Sequence, residues 1–279
     1  MKTEIAAPAK INLFLDILRR LENGYHSLFM LMQTVGLCDI VTLEKTESGI
    51  SISCTEPGIP ADERNTAYRA AKYFFEKTGI KAGVKIDIEK NIPHEAGLAG
   101  GSADAAAVLR GMNEIFEANL SVPELCEIGF RVGSDVPFCI YGGTCIVQGT
   151  GGIVSPIRPL GKCGVVLVKP EAGVSTAAAY AEADNTYLYH PNHQKILDCC
   201  ESGDFEGICA HAGNVFEQVV EVPERVEIKR IMRLHNSCLT QMSGSGPTVF
   251  GIFENRDDAA AAYEELRKQF ANVFLTEFV

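Results

Sequence analysis

Apolar and polar positions along the chain predict strands near both ends, with helices interleaved. The apolar run that follows Lys10 (Ile11, Leu13, Phe14, Leu15, Ile17) suits a buried strand. Val41 with Leu43, and Ile50 with Ile52 and Cys54, predict two strands around Glu47-Ser48-Gly49, and Val84, Ile86 and Ile88 share one face of a strand over 84–89. Helical spacing begins after Asn65 or Thr66, either of which can cap residues 67–75. An alanine-rich helix is expected from Ser102 to about Phe116. Another covers 122–131, announced by the capping box Ser121-Val122-Pro123-Glu124. Gly133 and Pro137 stop it, and Asp135 falls on a short connector before an apolar run from Val136 to Cys145.

The second half repeats the mixture. Strands are expected over 164–168, 238–242, 248–253 and 273–275, with helices starting near Ala177 and covering 205–218, 223–234 and 259–270. The polar stretch 181–204 reads as a mobile connection, and His190-Pro191-Asn192-His193 within it as a polar turn. Glycines and prolines between Gly149 and Pro159 mark a domain junction, which divides the chain into residues 1–155 and 156–279. The order of elements is that of an α+β sandwich.

Composition narrows the partners. A chain of 279 residues has length for about two domains. Its net charge of -11, from 36 acidic and 25 basic residues, argues against nucleic acid as the main partner. No apolar run of about 18 residues or signal-peptide core is present, so a cytoplasmic protein without a membrane partner is expected. The ten cysteines are scattered without a Cys-x-x-Cys pair, which favours free thiols over zinc or an iron–sulfur cluster.

The stretch Pro93-His94-Glu95-Ala96-Gly97-Leu98-Ala99-Gly100-Gly101-Ser102-Ala103-Asp104-Ala105-Ala106 joins a strand to a helix. Its three glycines allow a tight turn with N–H groups facing outward, and the helix start that follows favours an anion. A flexible turn before a buried helix is the alternative. Lys10 and Asn12 share a strand face, and two readings stand there: a solvent-facing edge, or a buried ammonium held for a purpose. Asn23-Gly24 presents Tyr25 and His26 just after a bend. A phosphoryl-transfer site needs a phosphate cradle, a cation and a carboxylate, and these segments hold candidates for each. Walker, Rossmann, protein-kinase and esterase motifs are absent.

Pro8-Ala9-Lys10-Ile11-Asn12-Leu13, the glycine-rich stretch, and Met242-Ser243-Gly244-Ser245-Gly246-Pro247-Thr248 resemble, in that order, the three motifs of the GHMP kinases. The resemblance implies a two-domain fold: an N-terminal ribosomal protein S5 domain 2-like ATP-binding domain, a C-terminal ferredoxin-like α/β sandwich, and a substrate site at their interface. Asn23-Gly24-Tyr25-His26 and Gly133-Ser134-Asp135-Val136-Pro137-Phe138 resemble members whose acceptor is a cytidine-bearing methylerythritol in non-mevalonate isoprenoid synthesis. By that likeness Asp135 accepts the hydroxyl proton, while Lys10 orients it and offsets charge. ATP, as its Mg2+ complex with ligands unassigned, lies on residues 93–103 near Asn65. Asn12, Tyr25, His26, Tyr180, Gly244, Ser245 and Gly246 contact the small-molecule substrate. A monomer or weak homodimer is expected.

Three residues depart from common family patterns. Glu95 sets a carboxylate in a loop for anions, Ala103 removes a hydroxyl, and Pro247 replaces a small residue. The alternatives are a mevalonate or homoserine kinase, a nucleotide-binding regulator without catalysis, and a non-enzymatic scaffold in which every glycine turn is structural.

Overall fold

A nineteen-residue strand, β1 (Lys2–Arg20), opens the computed structural model, which describes residues 1–279. The chain continues through β2 (His26–Thr46), β3 (Gly49–Cys54), α1 (Thr66–Thr78), β4 (Gly83–Glu89), α2 (Gly100–Ile115), α3 (Val122–Val132), α4 (Val136–Tyr141), β5 (Thr144–Gly149) and β6 (Ile153–Pro156). It then forms β7 (Gly164–Val168), α5 (Thr176–Asn185), α6 (His193–Ser202), α7 (Phe205–His211), β8 (Gly213–Asn214), α8 (Arg225–Leu234), β9 (Leu239–Met242), β10 (Val249–Phe253), α9 (Arg256–Leu266) and β11 (Val273–Glu277).

Two compact units share this chain, and neither is a continuous segment. The first comprises Met1–Ala9, Leu37–His94 and Ala99–Gly142; the second comprises Lys10–Gly36, Glu95–Leu98 and Gly143–Val279. In the first unit β3 runs parallel to β4, and β4 antiparallel to the end of β2. This register sets Ile52 and Leu43 beside Ile86, and Val41 beside Ile88. Burial of Val41, Leu43, Ile86 and Ile88 contributes about 1.5–3 kcal/mol each. Helix α2 lies close against this layer because Gly111 lacks a side chain: a Cβ there would stand 2.0 Å from Ile5.

In the second unit the start of β2 pairs with β5, β5 with β6, and Phe14 and Leu15 of β1 run parallel to β8. A separate four-stranded antiparallel sheet has the order β11-β7-β10-β9. Its strands and the helices α8 and α9 follow the order β7-α8-β9-β10-α9-β11, the ferredoxin-like arrangement, with α5 to β8 inserted after β7. Val166, Val168, Ile228, Met232, Phe253 and Leu266 form its core.

Four local expectations need correction. The helix before Gly133 ends at Val132 as expected, but the apolar run after Asp135 opens as a short helix, α4, with Pro137 in its first turn, where a proline lacks only an N–H that has no partner. Residues 153–156 form a strand paired with β5, so the glycine- and proline-rich stretch is partly a hairpin. The stretch 181–204 holds the second half of α5 and all of α6; Asn192 caps α6 by accepting the Lys195 N–H, and Ile196, Cys199 and Cys200 bury one face. The helix expected over 205–218 ends at His211, where β8 and a 3-10 turn (Val215–Gln218) take over.

Candidate active site

In the first unit, the glycine-rich turn delivers the chain into α2. Ala99 adopts a left-handed conformation (φ 58°), and its carbonyl accepts the N–H groups of Ser102 at 3.0 Å and Ala103 at 2.9 Å. No side chain caps this helix, so the outermost N–H groups of its first turn remain for an anion. Thr66, at the start of α1, donates its hydroxyl to the Gly101 carbonyl at 2.6 Å. Asn65 is the N-cap of α1: its side-chain oxygen accepts the Ala67 N–H and its amide donates to Pro60, both at 2.9 Å. That side chain is committed to local structure. Ala103 is buried at 1% exposure, so a serine hydroxyl there would face the core. Asp135 sits half-buried immediately before α4 without capping it.

The second unit gathers the other two motifs. Lys10 is 4% exposed and Asn12 fully buried, which removes the solvent-edge reading. The Lys10 ammonium donates to Asn12 Oδ1 at 2.6 Å, and its backbone N–H donates to the Leu98 carbonyl at 3.1 Å. Ser243 donates its hydroxyl to the Gly97 carbonyl at 2.9 Å. The approach is so close that a Cβ on Gly97 would stand 2.2 Å from the Ser243 carbonyl oxygen, and Gly97 also needs a positive φ of 75°. A Cβ on Gly244 would lie 3.4 Å from Lys10 Nζ, so its bare backbone leaves space before the ammonium. The structure thus brings Lys10, Asn12, Gly97, Leu98 and the Ser243–Gly246 turn together. Glu95, with φ 51°, is exposed beside exposed His94.

A separate aromatic group occupies the same unit. The His26 ring stacks on Tyr180 with centroids 4.6 Å apart and an interplanar angle of 16°. Tyr180 meets Phe216 edge-on at 5.0 Å. Tyr25, by contrast, is 62% exposed, so of the three expected aromatic contacts only His26 and Tyr180 stack on each other.

Residues without a motif complete these arrangements. Asp184 receives His26 Nε2 at 2.7 Å and pairs with Arg20 at 3.2 Å. Asn214 donates to the Met242 and Gly244 carbonyls, each at 2.8 Å, and so holds the Ser243–Gly246 turn. The Ser245 and Thr176 hydroxyls lie 2.9 Å apart, tying the turn to the start of α5. Buried Asp16 bonds His190 Nδ1 at 2.8 Å and His193 Nε2 at 2.5 Å, so these histidines anchor the segment to β1. Position alone could have flagged only Asp184, one turn after Tyr180 on a helix.

With this geometry established, comparisons with known proteins supply a family. The descriptions "GHMP kinases N terminal domain" and "GHMP kinases C terminal" match residues 65–143 and 196–272. A 4-diphosphocytidyl-2-C-methyl-D-erythritol kinase of Clostridium botulinum (strain Alaska E43 / Type E3) is 42% identical over 279 residues, covering 99% of this chain and 100% of that protein. One of the same name from Bacillus cereus (strain B4264) is 46% identical over 270 residues, covering 96% and 93%. A crystal structure of a 4-(cytidine 5'-diphospho)-2C-methyl-D-erythritol kinase superposes with a TM-score of 0.82 at 31% identity, covering 99% of each chain.

Proposed function

Because the chain belongs to the GHMP kinase family, we propose that it phosphorylates the 2-hydroxyl of 4-diphosphocytidyl-2-C-methyl-D-erythritol with ATP, giving the 2-phosphate and ADP. This is a small-molecule kinase step in non-mevalonate isoprenoid precursor synthesis. The observation that carries the reading is 42% identity to a kinase of that name across 99% of this chain. A cytoplasmic location and a monomeric or weakly dimeric state belong to the same proposal; no helix is long and apolar enough to cross a membrane.

The roles follow from the chemistry of a loose transition state, which asks chiefly for positioning and charge compensation. Residues 93–103 take the ATP phosphates on backbone N–H groups, with Asn65 near the nucleotide through the turn it caps. Lys10, held on Asn12, offsets the charge that develops on the transferred group. Asp135 accepts the proton of the acceptor hydroxyl. Asn12 and Gly244, Ser245 and Gly246 line the erythritol end, and Tyr25, His26 and Tyr180 recognise cytidine by stacking and edge hydrogen bonds.

Magnesium fits as part of the nucleotide complex. No group of three or more His, Cys, Asp or Glu side chains forms a metal cage, and Mg2+ is commonly held by one or two protein oxygens plus phosphates and water. Two hard donors lie in the first unit: the Asp135 carboxylate and the Ser102 hydroxyl, which is 3.8 Å from where a Cβ on Gly133 would stand. The ion would draw negative charge from the β- and γ-phosphates.

Purified protein should convert ATP to ADP only when the cytidine-bearing substrate is added. Equal turnover with mevalonate or homoserine would overturn the assignment. Asp135→Asn should lower kcat by roughly 100- to 10,000-fold while ATP still binds; a fully active variant would remove the proposed base.

A further inference from the structure

The first unit buries a charge cluster to which the three family motifs contribute only Asp104. Lys90, just past β4, directs its ammonium to Asp39 of β2 and, at 2.8 Å, to Asp104 of α2. All three side chains are at most 5% exposed. The other Asp39 oxygen accepts the backbone N–H groups of Asn91 at 2.6 Å and Ile92 at 2.8 Å. A Cβ on Gly100 would stand 3.3 Å from Lys90 Nζ and 3.1 Å from Ile92, so the ammonium lies directly against the first residue of α2. Residues 91 and 92, leading into the turn, are thus tied to the buried cation through Asp39, and residue 104, beyond the turn, is paired with it directly.

We propose that Asp39, Lys90 and Asp104 are positioning residues that clamp both ends of the phosphate-binding turn, acting on the nucleotide and leaving the acceptor unaffected. The inference rests on the reading of residues 93–103 as the ATP phosphate site. A buried ion network is a costly way to gain stability alone, since apolar residues of similar volume commonly serve as well or better. Here the network bonds to backbone N–H groups at one end of the turn and to helix α2 at the other, which apolar residues could not do.

The test measures KM for ATP and for the acceptor separately, alongside thermal melting, in wild type, Asp39→Asn and Asp104→Asn. Asp39→Asn cannot serve both the N–H pair and Lys90, so KM for ATP should rise roughly tenfold while kcat and the acceptor KM change by less than about threefold. Asp104→Asn keeps an oxygen for Lys90 but loses the ion pair that ties α2 to it, so KM for ATP should rise roughly threefold or more with the acceptor KM unchanged. Folded Asp39→Asn with an unchanged KM for ATP, or equal changes in both KM values, overturns the clamp. If Asp39→Asn does not fold, Asp104→Asn decides: an unchanged KM for ATP, or equal changes in both KM values, overturns the inference. Wild type that turns over no ATP would refute the kinase reading instead.

Discussion

Two buried carboxylate clusters, one in each unit, solve the same electrostatic problem in opposite ways. Around Lys90 a single cation serves two carboxylates, and backbone N–H groups help only Asp39. Around Asp16 a single carboxylate serves two imidazoles, His190 and His193. An imidazole can donate an N–H while neutral, so either histidine can satisfy Asp16 without carrying charge. Lys90 has no such latitude. The first cluster should therefore fail when its central residue is lost, and the second should tolerate loss of a peripheral one.

Substitutions can break this contrast in order of severity. Lys90→Met strands two buried carboxylates and should destabilise the protein by about 3–5 kcal/mol, read by urea or thermal unfolding. A loss below about 1 kcal/mol would mean that water or rearranged donors already serve Asp39 and Asp104. Asp16→Asn retains one acceptor oxygen, so a loss of about 1–2 kcal/mol is expected. Its signature should be loosening of the chain around 187–193, detected as faster amide exchange there. His190→Gln should cost less than about 1 kcal/mol, because the ring is half-exposed and His193 remains on Asp16. A larger loss from His190→Gln than from Asp16→Asn would reverse the comparison.

The legibility of these features in the sequence differs for a physical reason. The glycine-rich turn was readable because a strand pattern, three glycines and an alanine-rich helix lie in contiguous chain. Lys10 and Asn12 were readable because residues two apart on a strand share a face, although only the fold shows that the face is buried. Asp39, Lys90 and Asp104 gave no such sign. Asp39 lies in an apolar run where a lone acid resembles a solvent-facing position, and its partner Lys90 is 51 residues away. Long-range pairing also hid the role of His190 and His193, 174 and 177 residues from Asp16. The stretch 181–204 was misread for a nearer cause. Its many polar residues masked the Asn192 cap and the apolar spacing of Ile196, Cys199 and Cys200, which together specify α6.

The division of the chain between the units limits how it can be dissected. Its path crosses from one unit to the other at 9/10, 36/37, 94/95, 98/99 and 142/143, five times in all. A cut at 155/156 would leave Lys10 and Gly97 on one fragment and Ser243 and Asn214, which complete their surroundings, on the other. No gene truncation can deliver either unit whole, and a chimaera exchanging halves with a relative would mate Gly97 from one parent with Ser243 from the other. Where a Cβ would stand 2.2 Å from a carbonyl oxygen, such a graft succeeds only if both parents trace the same backbone.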